Sequence, residues 1–379
     1  MAKSYDAVIV GLGAMGSAAA FHLARRGQAV LGFDQFTPPH ARGSSHGATR
    51  IIREAYFEHP SYVPLLQRAY ALWRELEQSA GTTLFVATGG LMIGTPDSVI
   101  VSGALRSARE HALRHELLTA DEIRNRFPAL RPDGDMVAVL EPRAGVLFPE
   151  RCVAAHLDLA RRAGADLRFD QRVLRCEAIT NGVRVSTAEG HYEAAALIVT
   201  AGAWAGRLFP DLQLPLQVER QVLYWFEPAA AAAFEPARCP VHLWQFDGHH
   251  FFYGFPDLRA TAGAGAGVKV ARHHEGVIVD PDTVDRAVSA AEEAAMRDVV
   301  RRDLPGADGP LRQATVCVYT NTPDEHFWLD RHPAHSQILI ASPCSGHGFK
   351  FASVIGEVLA DLAVTGQSAF DLRLFRARA

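Results

Sequence analysis

A glycine-rich turn near the start of the chain constrains the fold more than any other feature of the sequence. Residues Gly11 to Gly16 match the pattern GxGxxG. A β-branched run from Tyr5 to Val10 precedes the turn, an amphipathic pattern from Ser17 to Arg26 follows it, and Ala29 to Phe33 forms a second apolar run. These patterns predict a strand, a helix and a second strand in that order. The chain therefore opens with a βαβ unit.

The same turn has the features of a dinucleotide site. Gly11 permits the tight turn, Gly13 lets the backbone approach a pyrophosphate, and Gly16 lets the helix pack closely on the strand. The pyrophosphate then lies at the positive end of the helix dipole. Asp34 ends the second strand, where a carboxylate can accept hydrogen bonds from a ribose diol. This fingerprint alone does not separate FAD from NAD. Because there is no second one, bound FAD would need another electron acceptor, of which oxygen is one.

The composition narrows the partners to small molecules. Charged residues make up 21% of the chain and the net charge is -4, so no basic excess is available to attract nucleic acid or a membrane surface. No apolar stretch is long enough to span a membrane. The five cysteines are odd in number and lack CxxC spacing, which argues against a disulfide framework or a zinc site. We expect a cytoplasmic protein without a metal.

The length of 379 residues predicts two domains, and the order of the patterns predicts that they are interleaved. We expect an α/β fold in which a Rossmann-like FAD-binding domain is combined with an α+β domain, built mainly on an antiparallel sheet, that binds the substrate. The first domain is predicted to comprise residues 1–80, 150–214 and 330–379, and the second to comprise residues 81–149 and 215–329. Within the second domain, Asp282 to Arg302 is predicted to form a helix.

Four separated motifs follow the glycine-rich turn. They are GSSHGATRIIR at residues 43–53, YGFP at 253–256, CVYTNTPDE at 317–325 and SGHGFK at 345–350. Their identity and order resemble those of the monomeric sarcosine oxidase and N-methyltryptophan oxidase family of flavoproteins, across nearly the whole chain. The resemblance implies a monomeric FAD-dependent amine oxidase that acts on the CH–NH group of an N-methyl amino acid. The products would be formaldehyde, a primary amino acid and hydrogen peroxide, with oxygen as the acceptor.

The sequence leaves the substrate open, because it does not reveal the size of the pocket. N-methyltryptophan, pipecolate, proline or fructosyl amino acids are alternative substrates for the same chemistry. An FAD dehydrogenase that passes electrons to a carrier is a second alternative. A flavin-binding subunit without catalytic activity is an alternative of another class.

The resemblance implies roles for several residues around the substrate. Cys317 would carry one FAD per chain through a thioether to the flavin, and Arg53 and Lys350 would hold the substrate carboxylate. A guanidinium grips a carboxylate in bidentate fashion and an ammonium adds a point charge, so the chemistry agrees. The further residues predicted to contact the substrate are Tyr253, Tyr319, Gly346 and His347.

The resemblance also implies a catalytic set. Lys269 would act through water above the flavin N5 atom and activate oxygen, since a cation there stabilises developing negative charge. His273 would lie near the substrate amine, although His274 beside it leaves the choice between the two open. Arg50 and His46 would lie beside the flavin, with Arg50 supporting flavin attachment.

The predicted FAD contacts extend over the first domain and the motifs. They are Gly11, Gly13, Ala14, Met15, Gly16, Asp34, Thr49, Arg50, Ile51, Val173, Thr200, Gly202, Trp204, Cys317, Gly346, Gly348, Phe349 and Lys350. The chain departs from the family at three places. Ser45 replaces a second histidine that is frequent there, Cys344 adjoins the C-terminal glycine-rich turn, and the loop at residues 257–267 is longer and richer in alanine and glycine.

Overall fold

Two eight-stranded sheets and one three-stranded sheet organise the chain in a computed structural model, which describes residues 4–248 and 250–376. Residues 1–3 and 377–379, which belong to the predicted FAD-binding domain, and His249 lie outside the described residues. The strands are β1 (Tyr5–Val10), β2 (Val30–Phe33), β3 (Arg50–Ile52), β4 (Phe85–Ala87), β5 (Gly90–Gly94), β6 (Glu116–Thr119), β7 (Val137–Glu141), β8 (Gly145–Leu147), β9 (Asp166–Arg168), β10 (Arg175–Ile179), β11 (Gly182–Thr187), β12 (Gly190–Val199), β13 (Gln217–Phe226), β14 (Val241–Gln245), β15 (Phe251–Phe255), β16 (Val268–His273), β17 (Leu311–Asn321), β18 (Trp328–His332) and β19 (His335–Ser342). The α-helices are α1 (Ala14–Ala24), α2 (Val63–Ala80), α3 (Val99–Glu110), α4 (Ala120–Arg126), α5 (Pro149–Arg162), α6 (Ala205–Leu208), α7 (Arg259–Ala262), α8 (Ala290–Asp303) and α9 (Ala352–Val364).

The first large sheet has the parallel core that the βαβ pattern predicts. Strands β19, β12, β1, β2 and β9 are parallel neighbours in that order, and β10, β11 and β18 join them in antiparallel pairs. Val8 of β1 lies between Leu197 of β12 and Leu31 of β2, and all three are buried. Because the sheet is buried on both faces, its central strands are apolar runs without alternation. Helix α1 lies against α9 so closely that a Cβ on Gly356 would lie 2.5 Å from the backbone of Ala18.

The second large sheet is mainly antiparallel, and successive residues of its strands face opposite sides of the sheet. Its strand order is β17, β13, β16, β15, β14, β5, β7 and β6, and only β14 and β5 form a parallel pair. On β5, Leu91 and Ile93 belong to the core that α4 and α8 cover, whereas Met92 belongs to the core under α3. The period of two therefore places helices on both faces.

The distribution of the strands supports the predicted division of the chain, which we retain as a proposal. The first large sheet takes its strands from residues 5–33, 166–199 and 328–342, and the second takes its strands from residues 90–141 and 217–321. The small sheet, in the order β3, β8 and β4, joins the two parts. Arg50 lies on β3 opposite Leu147 of β8, so the predicted catalytic arginine is fixed at this junction.

Both predicted helices are wrong at their start. Helix α1 begins at Ala14 rather than at Ser17, and the error is larger for α8. The periodicity favoured a helix from Asp282 to Arg302, but α8 begins at Ala290 and residues 282–289 contain no helix. The Ser289 hydroxyl accepts a hydrogen bond from the backbone N–H of Glu292 (3.2 Å), and the Glu292 carboxylate accepts one from the backbone N–H of Ser289 (2.8 Å). This capping box determines where the helix begins. Among the helices of the described residues, none has both the length and the hydrophobicity that a membrane crossing requires.

Candidate active site

A cavity of about 430 Å³ contains both the glycine-rich turn and the predicted substrate-binding cations. Its volume is typical of sites for cofactors and small molecules. All of the predicted substrate-binding residues line it, namely Arg53, Tyr253, Tyr319, Gly346, His347 and Lys350. So do these predicted cofactor-binding residues: Gly11, Gly13, Ala14, Met15, Asp34, Arg50, Ile51, Val173, Thr200, Gly202, Trp204, Cys317, Gly348 and Phe349. The remaining two, Gly16 and Thr49, are set back from the cavity surface.

The glycine-rich turn packs so closely against neighbouring backbone that two of its positions require glycine. Gly11 has a φ of +91°, and a Cβ there would lie 2.5 Å from the carbonyl oxygen of Thr200. A Cβ on Gly16 would lie 1.8 Å from the carbonyl oxygen of Gly11, so only glycine permits this contact of helix and turn. Gly13 lies open to the cavity at the start of α1. The Asp34 carboxylate is oriented by two backbone N–H donors at 2.8 and 2.9 Å, and it lines the same cavity. These features fit a bound dinucleotide.

Two cysteines line the cavity, and they differ in their neighbours. Cys317 on β17 is buried, and the Arg50 Nη2 atom lies 3.7 Å from its sulfur. The same Nη2 donates to the carbonyl oxygen of Ser44 at 2.6 Å, which fixes the guanidinium. Cys344 has no such cation beside it in the described residues, and burial raises the pKa of its thiol to about 11. Of the two thiols, Cys317 is the one held beside a positive charge.

Lys269 on β16 lies behind the cavity wall and is only 1% exposed. Its Nζ donates to the carbonyl oxygens of Gly47 and Thr49 at 2.8 and 3.0 Å, and to the Thr49 hydroxyl at 3.2 Å. Burial, reinforced by the charge of Arg50, lowers the pKa of Lys269 well below its usual value. The Glu150 carboxylate, at the start of α5, holds the same loop by accepting from the Gly47 N–H at 2.7 Å and from the next N–H at 3.0 Å.

Burial keeps His46 and His273 uncharged near neutral pH. His46 also lies behind the wall, and burial lowers its pKa to about 3; its Nε2 atom has no hydrogen-bond partner within the described residues. His273 lines the cavity 3.2 Å from the Tyr319 hydroxyl, and burial lowers its pKa well below its usual value. His274 instead faces Glu219, with 3.6 Å between Nδ1 and Oε2. The structure thus places His273, rather than His274, at the cavity.

The two predicted carboxylate-binding cations lie in a buried, hydrogen-bonded setting. Arg53 is 3% exposed; its Nη2 donates to both Glu58 carboxylate oxygens at 2.8 Å, and its Nη1 donates to the Ala55 carbonyl at 3.1 Å. Lys350 Nζ donates to the carbonyl oxygen of His347 at 2.5 Å. Burial, followed by repulsion from Arg53, lowers the pKa of Lys350 to about 7. The site therefore combines one permanent cation with one that titrates near neutral pH.

Sequence reasoning missed two residues here. Glu58 lines the cavity, and although burial would raise its pKa, the positive charges of Arg53 and Lys350 hold that pKa below its usual value. Tyr56 contacts both cations from behind the cavity wall. The only signal for either residue is its closeness in sequence to Arg53, and the segment between them has no helical or strand period to read.

Comparison with known proteins agrees with this geometry. Residues 6–362 match the family described as FAD dependent oxidoreductase. The chain is 48% identical to a monomeric sarcosine oxidase from Streptomyces avermitilis, over 100% of this chain and 98% of that protein. It is 36% identical to an N-methyl-L-tryptophan oxidase from Salmonella enteritidis, over 98% of each. Among solved structures, NikD, an unusual amino acid oxidase essential for nikkomycin biosynthesis, superposes with a TM-score of 0.87 at 26% identity, over 99% of this chain and 98% of that one.

Proposed function

Because the chain belongs to the family of FAD-dependent oxidoreductases that contains the monomeric sarcosine oxidases, we propose that it oxidises the secondary amine of an N-methyl amino acid with oxygen as the acceptor. The amine becomes an imine, water hydrolyses the imine to formaldehyde and a primary amino acid, and oxygen becomes hydrogen peroxide. The observation that carries the proposal is that Arg53 and Lys350 line the same cavity as the glycine-rich turn.

FAD, when bound, accepts two electrons from the amine and passes them to oxygen. Gly11, Gly13 and the first turn of α1 would hold its pyrophosphate, and Asp34 would hold its ribose. We propose that Cys317 forms the thioether to the flavin. Its position in the cavity beside Arg50 supports this assignment over Cys344.

The substrate carboxylate is proposed to bind Arg53 and Lys350 in competition with Glu58. Both Glu58 oxygens already accept from the same Arg53 nitrogen, so an incoming carboxylate must share or displace this contact. With the substrate bound, two cations face two carboxylates, and the added anion raises the pKa of Lys350. Binding is therefore expected to hold Lys350 in its charged form.

The rest of the cavity is proposed to position the reacting methylamine. Tyr253, Tyr319 and His273 line this part of the site, and His273 adds no positive charge because burial keeps it neutral. A protonated amine is disfavoured in such a setting, and the neutral amine is the form that can be oxidised. Orientation, rather than a dedicated base, supplies much of the rate.

Lys269 is proposed to assist the reduction of oxygen. Its burial favours the neutral amine, whereas negative charge that develops in the cavity favours the ammonium form. The side chain can therefore respond to the charge as it appears, which is electrostatic catalysis.

The test is peroxide release by the purified yellow protein with sarcosine, N-methyltryptophan, proline, pipecolate, a fructosyl amino acid and primary amino acids. We expect the highest turnover with an N-methyl amino acid. Flavin reduction without peroxide would point to a dehydrogenase, and the absence of reduction by every compound would contradict the proposal. We also propose a monomer without nucleic-acid or membrane partners, which size-exclusion chromatography checks, and a cytoplasmic location, for which the unpaired cysteines are the argument.

A further inference from the structure

We propose that Tyr56 is a positioning residue. It holds the Arg53 guanidinium and the Lys350 ammonium in a fixed geometry relative to each other. Tyr56 is fully buried and does not line the cavity, so it acts through Arg53, Lys350 and His347. This inference rests on the proposed function, because it assumes that these cations receive a substrate carboxylate.

Both positive charges lie close to the ring of Tyr56. The Arg53 guanidinium carbon lies 4.2 Å from the ring centroid, and Lys350 Nζ lies 5.1 Å from it. Two cations this close repel each other in a buried site. The negative face of an aromatic ring attracts cations that lie over it, so the ring of Tyr56 offsets part of that repulsion.

The hydroxyl of Tyr56 links Lys350 to a chain of hydrogen bonds in which the donor and the acceptor of each bond are determined. His347 Nε2 lies 2.9 Å from the Glu325 carbonyl oxygen, which can only accept, so Nε2 carries the proton. Burial lowers the pKa of His347 to about 3, so the ring is neutral and Nδ1 is an acceptor. Tyr56 Oη lies 2.5 Å from Nδ1 and must donate to it. The oxygen lone pairs of Tyr56 are then left to accept from Lys350 Nζ at 3.4 Å.

The backbone of Tyr56 is held from the other side. The Ser107 hydroxyl, on α3, donates to the Tyr56 carbonyl oxygen at 2.5 Å, and Ser107 is itself fully buried. Ring, hydroxyl and carbonyl are thus each fixed by a different part of the chain. Such a residue can hold two long, flexible cationic side chains in one geometry without touching the substrate.

The experiment compares Tyr56→Phe with Tyr70→Phe. Both remove a buried hydroxyl. Tyr70 does not line the cavity, and among the bonds that the structure shows its hydroxyl donates only to the Arg143 carbonyl oxygen. The probes are methoxyacetate, an isostere of sarcosine that cannot be oxidised in the same way, and its neutral amide. Binding is followed by the change in flavin absorbance of the FAD-loaded protein. We expect Tyr56→Phe to weaken methoxyacetate binding about 10-fold, the equivalent of one hydrogen bond to a charged group, and to leave the amide unchanged.

The carboxylate-to-amide ratio separates positioning from general packing. Equal weakening of both probes by Tyr56→Phe, or no weakening of either, would overturn the inference, as would an equal loss in Tyr70→Phe. If Tyr56→Phe does not fold, Ser107→Ala should give a smaller loss that is again confined to the carboxylate. Because binding is measured without turnover, wild-type protein that binds methoxyacetate but oxidises no amine would refute the proposed function alone. Wild-type protein that binds neither probe would overturn the inference.

Discussion

At the scale of single residues, the motifs predicted a set of side chains that share one cavity, but not the groups that hold them. Arg53 comes from one motif and His347 and Lys350 come from another, far away in sequence, yet all three line the same cavity. Glu58 and Tyr56 were missed because contact with Arg53 depends on the irregular path of the segment after β3. Which charges balance each other in a buried site depends on the folded arrangement, and the spacing of residues in the sequence does not show it.

Lys350 should make carboxylate binding depend on pH. Its pKa is lowered to about 7, so the ammonium is present below this pH and is lost as the pH rises through it. Methoxyacetate, which has no amine to titrate, should therefore bind more weakly as the pH increases from 6 to 9. The measurement is its dissociation constant at each pH, from flavin absorbance. Lys350→Met should bind weakly at pH 6 and lose most of the dependence.

Few other groups around Lys350 could cause a pH dependence of methoxyacetate binding. Arg53 stays charged, Glu58 is held anionic, and His347 is held neutral over this pH range. Glu141 accepts hydrogen bonds from the backbone just beyond Arg53, and burial raises its pKa to about 7 as well. Glu141→Gln removes that titration and keeps Lys350, so a curve that became flat in Glu141→Gln and persisted in Lys350→Met would assign the effect to Glu141.

At the scale of elements, the sequence predicted the strands better than the helix starts. Strands β1 and β2 are apolar runs because they are buried on both faces, and such a run can be recognised directly in the sequence. The start of α8 depends on one capping box, and eight residues of polar periodicity before it resemble helix without forming one. The signal Ser-x-x-Glu at residues 289–292 was present in the sequence and outweighs the periodicity.

The capping box predicts a defined cost for its removal. Ser289→Ala should lower the free energy of unfolding by about 1 kcal/mol, because it removes an acceptor for a helix N–H. Ser289→Asp retains a cap oxygen and should lose little. Urea unfolding of the FAD-loaded variants measures the difference, and peroxide release should stay at the wild-type rate. An equal loss in both variants would show that the cap does not set the stability of α8.

Glu150 tests how an element controls the loop behind the cavity. Its carboxylate accepts hydrogen bonds from two backbone N–H groups of this loop, and carbonyl oxygens of the same loop accept hydrogen bonds from Lys269 Nζ. Glu150→Gln should weaken this anchor and slow reoxidation of the reduced protein by oxygen up to about 10-fold, which corresponds to one charge-assisted hydrogen bond. Stopped-flow measurement of reduction and reoxidation separates the two steps. Asp158→Asn, an exposed change on the same helix, is the control; slowed reduction with normal reoxidation would contradict the role.

At the scale of the whole molecule, the cavity takes its walls from both large sheets, and this could be predicted only in outline. The glycine-rich turn and Asp34 follow strands of the first sheet, whereas Tyr253, His273 and Cys317 lie on strands of the second. The order of the strand and helix patterns predicted that the chain returns to the first domain. Which strand faces which depends on how the two sheets are packed, and local patterns do not specify packing between layers.

The proposed attachment of FAD to Cys317 would decide how the stability of the whole molecule responds to the cofactor. A ligand that dissociates stabilises the folded chain by mass action, by about 1.4 kcal/mol for each tenfold rise in its concentration above Kd. A ligand joined to Cys317 stays with the chain when it unfolds, so free FAD adds nothing. We therefore expect the Tm of the FAD-loaded wild-type protein to be independent of added FAD, and its denatured, washed precipitate to stay yellow. Cys317→Ser should bleach on denaturation and melt at a temperature that rises with added FAD, whereas Cys344→Ser should behave as wild type. A yellow precipitate from Cys317→Ser would move the linkage to another residue.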